Sequence, residues 1–474
     1  MAMALRSEIG LPTLRISLDH GSSAAVFCVV RGREHPREVA RCSLRELGLP
    51  TSVLEPVDDG ALAVPDAVLA RLATDVARLG ESPIPPRDVL WLEIPVPRGQ
   101  VHVLPWERLL APLGRPVFRL PFHPVRAERP GPHLDIAICC SLPDDGVADP
   151  PDLVARLTRQ YVAHTPGVRV HVFTDAAWAD ATRAAVEPLN AAGADVDVHA
   201  PAASGAGRRA RGRGRVISAP WLTWLLEELG GHRVDVLHLV VHGHLADGHG
   251  AFVLRPTMTG EIPAFVEPTE LVEVLTRVGA VAVTFSAPPG NPSTAGLREL
   301  ADELACVRPG LTTVHDLAAD PAAEQVGAAL HTIFARPERL GRTVPALTSW
   351  VHPLFLEPPG ATSPDVEPER QRWTAEMRLL RDGRSAFLQE STRRAATHVE
   401  QEAWVASASR SIEQLQMTWL PSAVDRPVDD AAAAALERVS QLLEQSVRQE
   451  YPAPDGTPPD TPPTGAAPQD GGRS

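Results

Sequence analysis

Residues 234–243 read V-D-V-L-H-L-V-V-H-G, and this stretch decides the fold class of the chain. Its apolar and β-branched residues are typical of a buried strand in a parallel sheet. His242 ends the run, and open α/β sheets place their chemistry at the carboxyl ends of their strands. Residues 281–287 (V-A-V-T-F-S-A) predict the neighbouring strand, which runs into P-P-G at 288–290. Together the two runs predict an α/β core with a candidate functional histidine at one edge.

The composition limits the classes of function. At 474 residues the chain is long enough for two or three domains, and its 44% of apolar residues can fill their cores. The net charge of −14 argues against a protein whose main task is general nucleic-acid binding. All 45 basic residues are arginine and 48 residues are proline, which indicates a GC-rich bacterial genome such as those of actinobacteria.

The sequence also predicts the compartment. No run approaches the roughly 18 apolar residues of a membrane span, and the N-terminal residues lack the apolar core of a secretion signal. The five cysteines are irregularly spaced and form neither a zinc-binding pattern nor a disulfide framework. We therefore expect a cytoplasmic protein without a membrane partner.

Four regions follow one another along the chain. Residues 1–130 mix strand and helix signals, with a hairpin pattern over residues 12–35 and a helical pattern over residues 66–80, and predict an α+β region. Residues 131–345 alternate strands with helices, which predicts a mostly parallel sheet with helices on both faces. Residues 346–450 have helical periodicity, and we expect the tail 451–474, rich in Pro, Gly, Thr and Asp, to be disordered.

Several motifs occur in the order seen in one protein family. They are L-P-W-E at 104–107, the strand L-D-I-A-I-C-C at 134–140, H-L-V-V-H-G-H at 238–244, V-T-F-S-A at 283–287, and a helix and strand over 297–316. Over residues 88–340 the chain resembles the CHAT domain, the caspase-like α/β domain of the cysteine-peptidase clan that includes caspases and separases. The resemblance implies a caspase-like sheet for this region.

The resemblance also implies roles for individual residues. It carries the catalytic histidine of the family to His242 and the catalytic cysteine to Pro288. In an active member a thiolate attacks while the imidazole moves the proton, and a proline cannot replace that thiolate. Gly243 would let the chain turn beyond His242. The resemblance therefore implies a catalytically impaired domain that serves as a regulatory or protein-interaction subunit of a bacterial multi-protein system, such as a conflict or defence system.

A working peptidase with a displaced nucleophile remains an alternative. Ser286 is its candidate, although it lies two residues before the expected cysteine position and inside the predicted strand. A serine also needs a stronger base than a cysteine does. The cysteines at 139, 140 and 306 are expected to be buried core residues, because free cysteine is among the most buried residue types. In this alternative His242 would activate either a serine or a cysteine.

A second alternative is binding through a basic loop at residues 205–215. The loop contains five arginines, Arg208, Arg209, Arg211, Arg213 and Arg215. Arginine binds phosphate and carboxylate groups, so the loop is a candidate for an acidic ligand or a nucleic acid. The lack of interleaved aromatic residues weakens the case for single-stranded nucleic acid.

Two further sets of polar residues bear on binding. Asp144 follows the strand at 134–140, and an acidic group lines the specificity pocket in those relatives that cleave after basic residues. The histidines at 238, 242, 244 and 249 lack a nearby carboxylate or thiolate set that would complete a metal site. We therefore expect no metal site and no small-molecule cofactor, and we expect protein partners.

Overall fold

The computed structural model describes residues 9–356, apart from the gaps 20–21, 33, 50–57, 96–100, 122–126, 128, 132, 143–147, 202–216, 218, 247–248, 256–263, 291–292 and 336–343. The predicted helical region, except for its first residues, and the predicted disordered tail lie outside the described residues. So do Asp144 and the arginines of the basic loop.

The N-terminal part forms strands and two helices. The elements are β1 (Pro12–Asp19), β2 (Ala24–Arg31), β3 (Arg37–Ser43), α1 (Asp66–Arg78), β4 (Leu90–Glu93), α2 (Trp106–Leu109) and β5 (Val117–Arg119). β1 and β2 pair antiparallel, as the alternation of their residues predicts. Asp66 opens α1, whose Val68, Leu72 and Val76 form one buried stripe, as expected for an amphipathic helix.

The second part alternates strands and helices. The elements are β6 (Asp135–Cys140), α3 (Pro150–His164), β7 (Arg169–Thr174), α4 (Ala179–Ala191), β8 (Asp195–His199), α5 (Pro220–Leu229), β9 (Val236–Val240), β10 (His242–Ala246), β11 (His249–Leu254), β12 (Ala264–Val266), α6 (Pro268–Val278), β13 (Ala282–Ala287), α7 (Ala295–Val307), β14 (Leu311–Asp316), α8 (Glu324–Ala335) and β15 (Leu347–Trp350). The helix α6 and the strands β10, β11, β12 and β15 were not predicted from the sequence as such.

Twelve of the strands form one sheet in the order β3-β2-β1-β4-β5-β15-β14-β13-β9-β6-β7-β8. Its strands run mostly parallel, and β2, β3 and β15 supply the antiparallel pairings. The predicted α/β class is confirmed. The sheet crosses the predicted boundary at residue 130, because β1 to β5 extend it. It also continues past residue 345, because β15 lies between β14 and β5.

Both faces of the central strands are covered by helices. All five residues of β9 are buried. Val236 and Val240 belong to a core with α3 and α8, whereas Leu237 and Leu239 belong to a core with α5, α6 and α7. Successive strand residues point to opposite faces, so a fully apolar strand needs cover on both sides. This accounts for the uninterrupted apolar run in the sequence.

The L-P-W-E turn anchors the middle of the sheet. The buried guanidinium of Arg119 donates to both carboxylate oxygens of Glu107, at 2.8 and 3.0 Å. Thr348 also donates to Glu107, at 3.0 Å. Trp106 is fully buried and its indole donates to the carbonyl of Val101 at 2.7 Å. Because Arg119 lies on β5 and Thr348 on β15, this turn joins two strands that are distant in sequence.

Candidate functional site

The carboxyl ends of β6, β9, β13 and β14 meet along one edge of the sheet, which we call the carboxyl edge. β9 pairs in parallel with β6 on one side and with β13 on the other, and β13 pairs in parallel with β14. Ligands of open α/β sheets bind outside this edge. His242, Ser286 and Pro288 all lie near it, so the structure brings these three sequence-predicted residues to one part of the fold.

The predicted strand at 234–243 divides into two elements. β9 ends at Val240, and His242 opens β10, which belongs to a separate three-stranded antiparallel sheet. Val241 lies between them and donates its backbone N–H to the carbonyl of Ser286 at 3.2 Å. His242 pairs with Val253 of β11 and is partly buried. His238 and His242 therefore lie in different sheets and do not share one strand.

Gly243 allows a close approach between β10 and α7. A Cβ atom at this position would lie 2.6 Å from Cγ of Leu297 and 2.9 Å from its backbone nitrogen. Gly250 on β11 and Gly296 on α7 are equally confined by backbone atoms of the facing element. The glycine of the His-Gly motif thus serves tight packing of the hairpin on α7. It lies within β10 and its φ is not positive, so the role in a turn that we predicted stays a prediction.

Pro288 directly follows β13 and is buried. The chain then turns through Gly290, which has a φ of +85°. The backbone N–H of Leu317 donates to the carbonyl of Ala287 at 3.3 Å, and this bond joins the end of β13 to the segment after β14. The position to which the resemblance carries the catalytic cysteine therefore holds a packed imino acid that has no ionisable group.

Ser286 lies in a buried chain of five side chains, which we call the Ser286 network: Tyr161, His238, Ser286, His315 and Asp320. Tyr161 Oη lies 2.7 Å from His238 Nδ1, and His238 Nε2 lies 2.7 Å from Ser286 Oγ. Ser286 Oγ lies 2.8 Å from His315 Nδ1, whose Nε2 lies 3.1 Å from Asp320 Oδ2. The two histidines and the serine have no exposed surface. Buried polar groups need such partners.

Asp320 sets the direction of the hydrogen bonds in this network. Burial works to raise its pKa, but hydrogen bonds from His315 and from the amides of Gln325 and Glu324 hold the pKa below its ordinary value. An ionised carboxylate only accepts, so His315 donates from Nε2. With no proton on Nδ1, His315 accepts there from the Ser286 hydroxyl. We assign this tautomer from the hydrogen bonds.

The hydrogen bonds of Ser286, His238 and Tyr161 follow the same direction of donation, toward Asp320. Ser286 accepts from Nε2 of His238, and Nδ1 of His238 accepts from the hydroxyl of Tyr161. Burial, and then the neighbouring His315, lowers the pKa of His238 far below its ordinary value, so this imidazole is neutral. Burial raises the pKa of the Tyr161 phenol, which keeps it a donor. Each donor in the network therefore meets one acceptor.

The order Ser286, His315, Asp320 contains the residue types of a serine-peptidase triad, but its geometry differs. In such triads Nε2 of the histidine faces the serine and Nδ1 faces the carboxylate. Here Nδ1 of His315 faces Ser286 and Nε2 faces Asp320. Ser286 is also fully buried, so a substrate carbonyl cannot reach its hydroxyl in this conformation. The described hydrogen-bond partners of the Ser286 hydroxyl are His238 and His315.

A carboxylate that sequence reasoning missed lies at the same carboxyl edge. Asp175 follows β7, is 8% exposed, and accepts a hydrogen bond from the indole of Trp221 at 3.2 Å. Arg255 Nη1 lies 3.8 Å from its second oxygen. Burial raises the pKa of Asp175 to about 6, although Trp221 and Arg255 both act to lower it. A perturbed carboxyl at this edge is a candidate functional group. No local motif distinguishes it in the sequence.

Four of the five cysteines have thiols whose raised pKa makes them poor nucleophiles. Cys139 and Cys140 are buried in β6, and burial raises the pKa of both thiols. Burial also raises the pKa of Cys42 to about 11, and it raises the pKa of Cys28. A thiolate is the reactive species, so these thiols are unreactive at neutral pH. The expectation that Cys139 and Cys140 are core residues is confirmed, whereas the same expectation for Cys306 is wrong, because Cys306 is only partly buried near the end of α7.

Of the histidines that we considered for metal binding, those whose side chains the structure describes, at 238, 242 and 244, form no group of metal ligands. Both ring nitrogens of His238 are hydrogen-bonded within the Ser286 network. His244 is exposed and packs against the ring of Phe265, with 5.2 Å between ring centroids. A different group, Asp135, His171 and His232, does come together in the described part of the chain. Its members are far apart in sequence, so no spacing pattern could reveal it.

Comparisons with known proteins do not assign a family. No family model matches the sequence, and no curated protein does. Within the described ranges, no helix combines the length and the apolar character needed to cross a membrane.

Proposed function

We propose that this chain is a catalytically impaired, caspase-like protein that acts as a regulatory or protein-interaction subunit of a bacterial multi-protein system in the cytoplasm. A CHAT-like domain in a conflict or defence system is the setting that the sequence resemblance favours. The proposal has two parts, the loss of peptidase chemistry and the role in assembly, and each has its own test.

The buried Pro288 at the end of β13 carries the proposal. A cysteine peptidase needs a thiolate and a nearby imidazole together. His242 follows β9, and β9 is the neighbour of β13 in the sheet. Pro288, the residue after β13, supplies no thiol. Retention of the sheet, the His-Gly hairpin and the L-P-W-E turn without the nucleophile is the pattern expected of a scaffold that binds other proteins.

The second candidate is a serine peptidase, and the Ser286 network is the observation that favours it. Its serine, histidine and carboxylate are within hydrogen-bond reach of one another. The reversed imidazole and the complete burial of Ser286 oppose this function. A conformational change that exposed Ser286 would have to break two hydrogen bonds, at a cost of about 1–3 kcal/mol for each group left unpaired.

Active-site probes separate the two candidates. We expect fluorophosphonate and iodoacetamide probes to give the same labelling in the parent chain and in the control variant His242→Ala, because no residue depends on His242 for its reactivity. Labelling of Ser286 that disappears in Ser286→Ala would establish the peptidase and contradict the proposal.

Pro288→Cys tests the ancestral role of His242. We expect this variant to gain a thiol that iodoacetamide labels faster than the native cysteines do, with the rate falling in Pro288→Cys/His242→Ala. If labelling at position 288 is unaffected by His242, the two residues do not form the two halves of a dyad.

The assembly role is tested with the proteins encoded by neighbouring genes. We expect co-expression to give a stoichiometric complex, and we expect His242→Ala to form it equally well because no chemistry is required. A chain that stays alone with every such protein contradicts the role as a subunit.

A further inference from the structure

Three groups with metal-binding side chains meet at the amino edge of the sheet, which is the edge opposite the candidate functional site. Asp135 opens β6, His171 lies on β7, and His232 follows α5. One potential ligand atom of each lies within 4.8 Å of those of the other two. Asp135 Oδ2 and His232 Nε2 are already 3.5 Å apart.

The backbone holds Asp135 in place. The N–H of Asp135 donates to Oδ2 of Asp235 at 2.9 Å, and the N–H of Asp235 donates to the carbonyl of Asp135 at 2.7 Å. His171 is held by its strand, since β7 pairs in parallel with both β6 and β8. The sheet therefore fixes the backbone positions of Asp135 and His171, and His232 supplies the third side chain from the segment after α5.

Two further residues determine which nitrogen of His171 can bind an ion. His199 Nδ1 lies 3.2 Å from Oε1 of Glu228, and His199 Nε2 lies 3.3 Å from Nδ1 of His171. A carboxylate only accepts, so His199 donates from Nδ1 and, when neutral, accepts at Nε2. His171 must then donate from Nδ1. Its Nε2 is left with a lone pair and no proton.

Besides the grouping of the three side chains, Nε2 of His171 also indicates a bound ligand. His171 is 9% exposed, and its Nε2 is buried without a hydrogen-bond partner among the described residues. A buried polar atom left unpaired costs about 1–3 kcal/mol. A neutral imidazole with a free lone pair is the form that coordinates metals.

The ligand set selects the kind of ion. Two imidazoles and one carboxylate suit Zn²⁺ and related first-row ions, with bonds of about 2.0–2.2 Å, and leave a position for water. Such bonds place neighbouring ligand atoms about 3.3–3.6 Å apart in a tetrahedral site. Separations of up to 4.8 Å need to contract by at most about 1.2–1.5 Å. Asp135 and His232 have 34% and 39% exposed side chains, so both can adjust and solvent ions can reach them.

We propose that Asp135, His171 and His232 bind a first-row divalent metal ion, in the first place Zn²⁺, and that Glu228 and His199 orient His171 from outside the coordination sphere. The pairing of a ligand histidine with a hydrogen-bonded carboxylate chain is common in zinc sites. The ion cross-links β6 and β7 to the segment after α5. This proposal is independent of the proposed function, because its residues lie at the opposite edge of the sheet.

The experiment is isothermal titration of the untagged, chelator-treated full chain with Zn²⁺, alongside Co²⁺ absorption spectroscopy. We expect one equivalent of Zn²⁺ to bind, Co²⁺ to show a visible spectrum of protein-bound metal, and Zn²⁺ to raise the unfolding temperature because it binds only the folded state.

Three variants identify the site. His232→Ala should weaken Zn²⁺ binding by more than about 100-fold, and Glu228→Gln, which affects only the outer partner, by about 10-fold. His35→Ala, an exposed histidine outside the group, should bind as the unmodified chain does. The unfolding temperature of His232→Ala without metal reports whether the variant is folded. No stoichiometric binding, or binding that His232→Ala leaves unchanged, overturns the proposal.

Discussion

The hydroxyl oxygen of Ser286 lies 2.7 Å from Nε2 of His238, and neither side chain has any exposed surface. The bond joins β13 to β9 on the face covered by α3 and α8. The same hydroxyl donates to His315 on β14, so one serine links three parallel strands. A fully satisfied buried network helps to specify one arrangement of a core, whereas a partly satisfied one is costly. Its members should therefore be sensitive to substitution.

Removal of the Ser286 hydroxyl should destabilise the fold. Ser286→Ala leaves His238 and His315 each without one partner, and we expect the free energy of unfolding to fall by about 2–4 kcal/mol. Thr284→Val is the matched control, because Thr284 is equally buried on the same strand and its hydroxyl has no described hydrogen-bond partner. We expect that variant to be as stable as the parent or more so. Urea unfolding measures both, and equal losses would contradict a special role for the network.

His238 should make stability depend on pH. Its pKa is lowered in the folded state, so below about pH 6.5 the unfolded chain binds a proton that the folded chain does not. The stability from His238 is complete above about pH 6.5 and decreases by about 1.4 kcal/mol per pH unit below it. His238→Gln should remove this part of the slope, measured by urea unfolding from about pH 7.5 to about pH 5.5. An unchanged slope in the variant would show that His238 does not titrate as described.

Asp175 should act in the opposite direction. Its pKa of about 6 in the folded state exceeds the value of about 3.9 in an unfolded chain, so the folded state holds the proton more tightly. The contribution of Asp175 to stability is therefore greatest below about pH 4, declines between about pH 4 and pH 6, and stays lower above that. Asp175→Asn should raise the free energy of unfolding near neutral pH by about 1–3 kcal/mol and have little effect below about pH 4. A destabilised Asn variant at neutral pH would mean that the charged form is favoured.

Gly243→Ala should destabilise the hairpin that carries His242. The added Cβ would meet Leu297 at 2.6 Å, so β10 and α7 must move apart. We expect a loss of about 1–3 kcal/mol, as for other overpacked sites. Gly131→Ala is the control, because a Cβ there meets nothing within 4 Å and its φ is not positive. Thermal unfolding compares the two variants, and a neutral Gly243→Ala would show that the hairpin can shift freely.

Elements with a strong local pattern could be predicted from the sequence. The runs at 234–243 and 281–287 predicted two strands, and β9 and β13 are neighbours in the sheet. The amphipathic pattern at 66–80 predicted α1. Elements with a weak local signal were missed, such as the four-residue β15 and the small sheet that begins at His242. A short strand contains too few residues for its alternation to stand out.

The candidate functional residues also divide into those that a local stretch of sequence reveals and those that only the tertiary structure reveals. By itself the sequence determined the α/β class, the place of Ser286 inside a strand, and the proline at the end of β13, because each depends only on residues that are adjacent in the sequence. The Ser286 network spans residues 161 to 320, and the proposed metal ligands span residues 135 to 232. Only the tertiary structure decided that these residues meet, because strand register and helix packing set those distances and no local spacing encodes them.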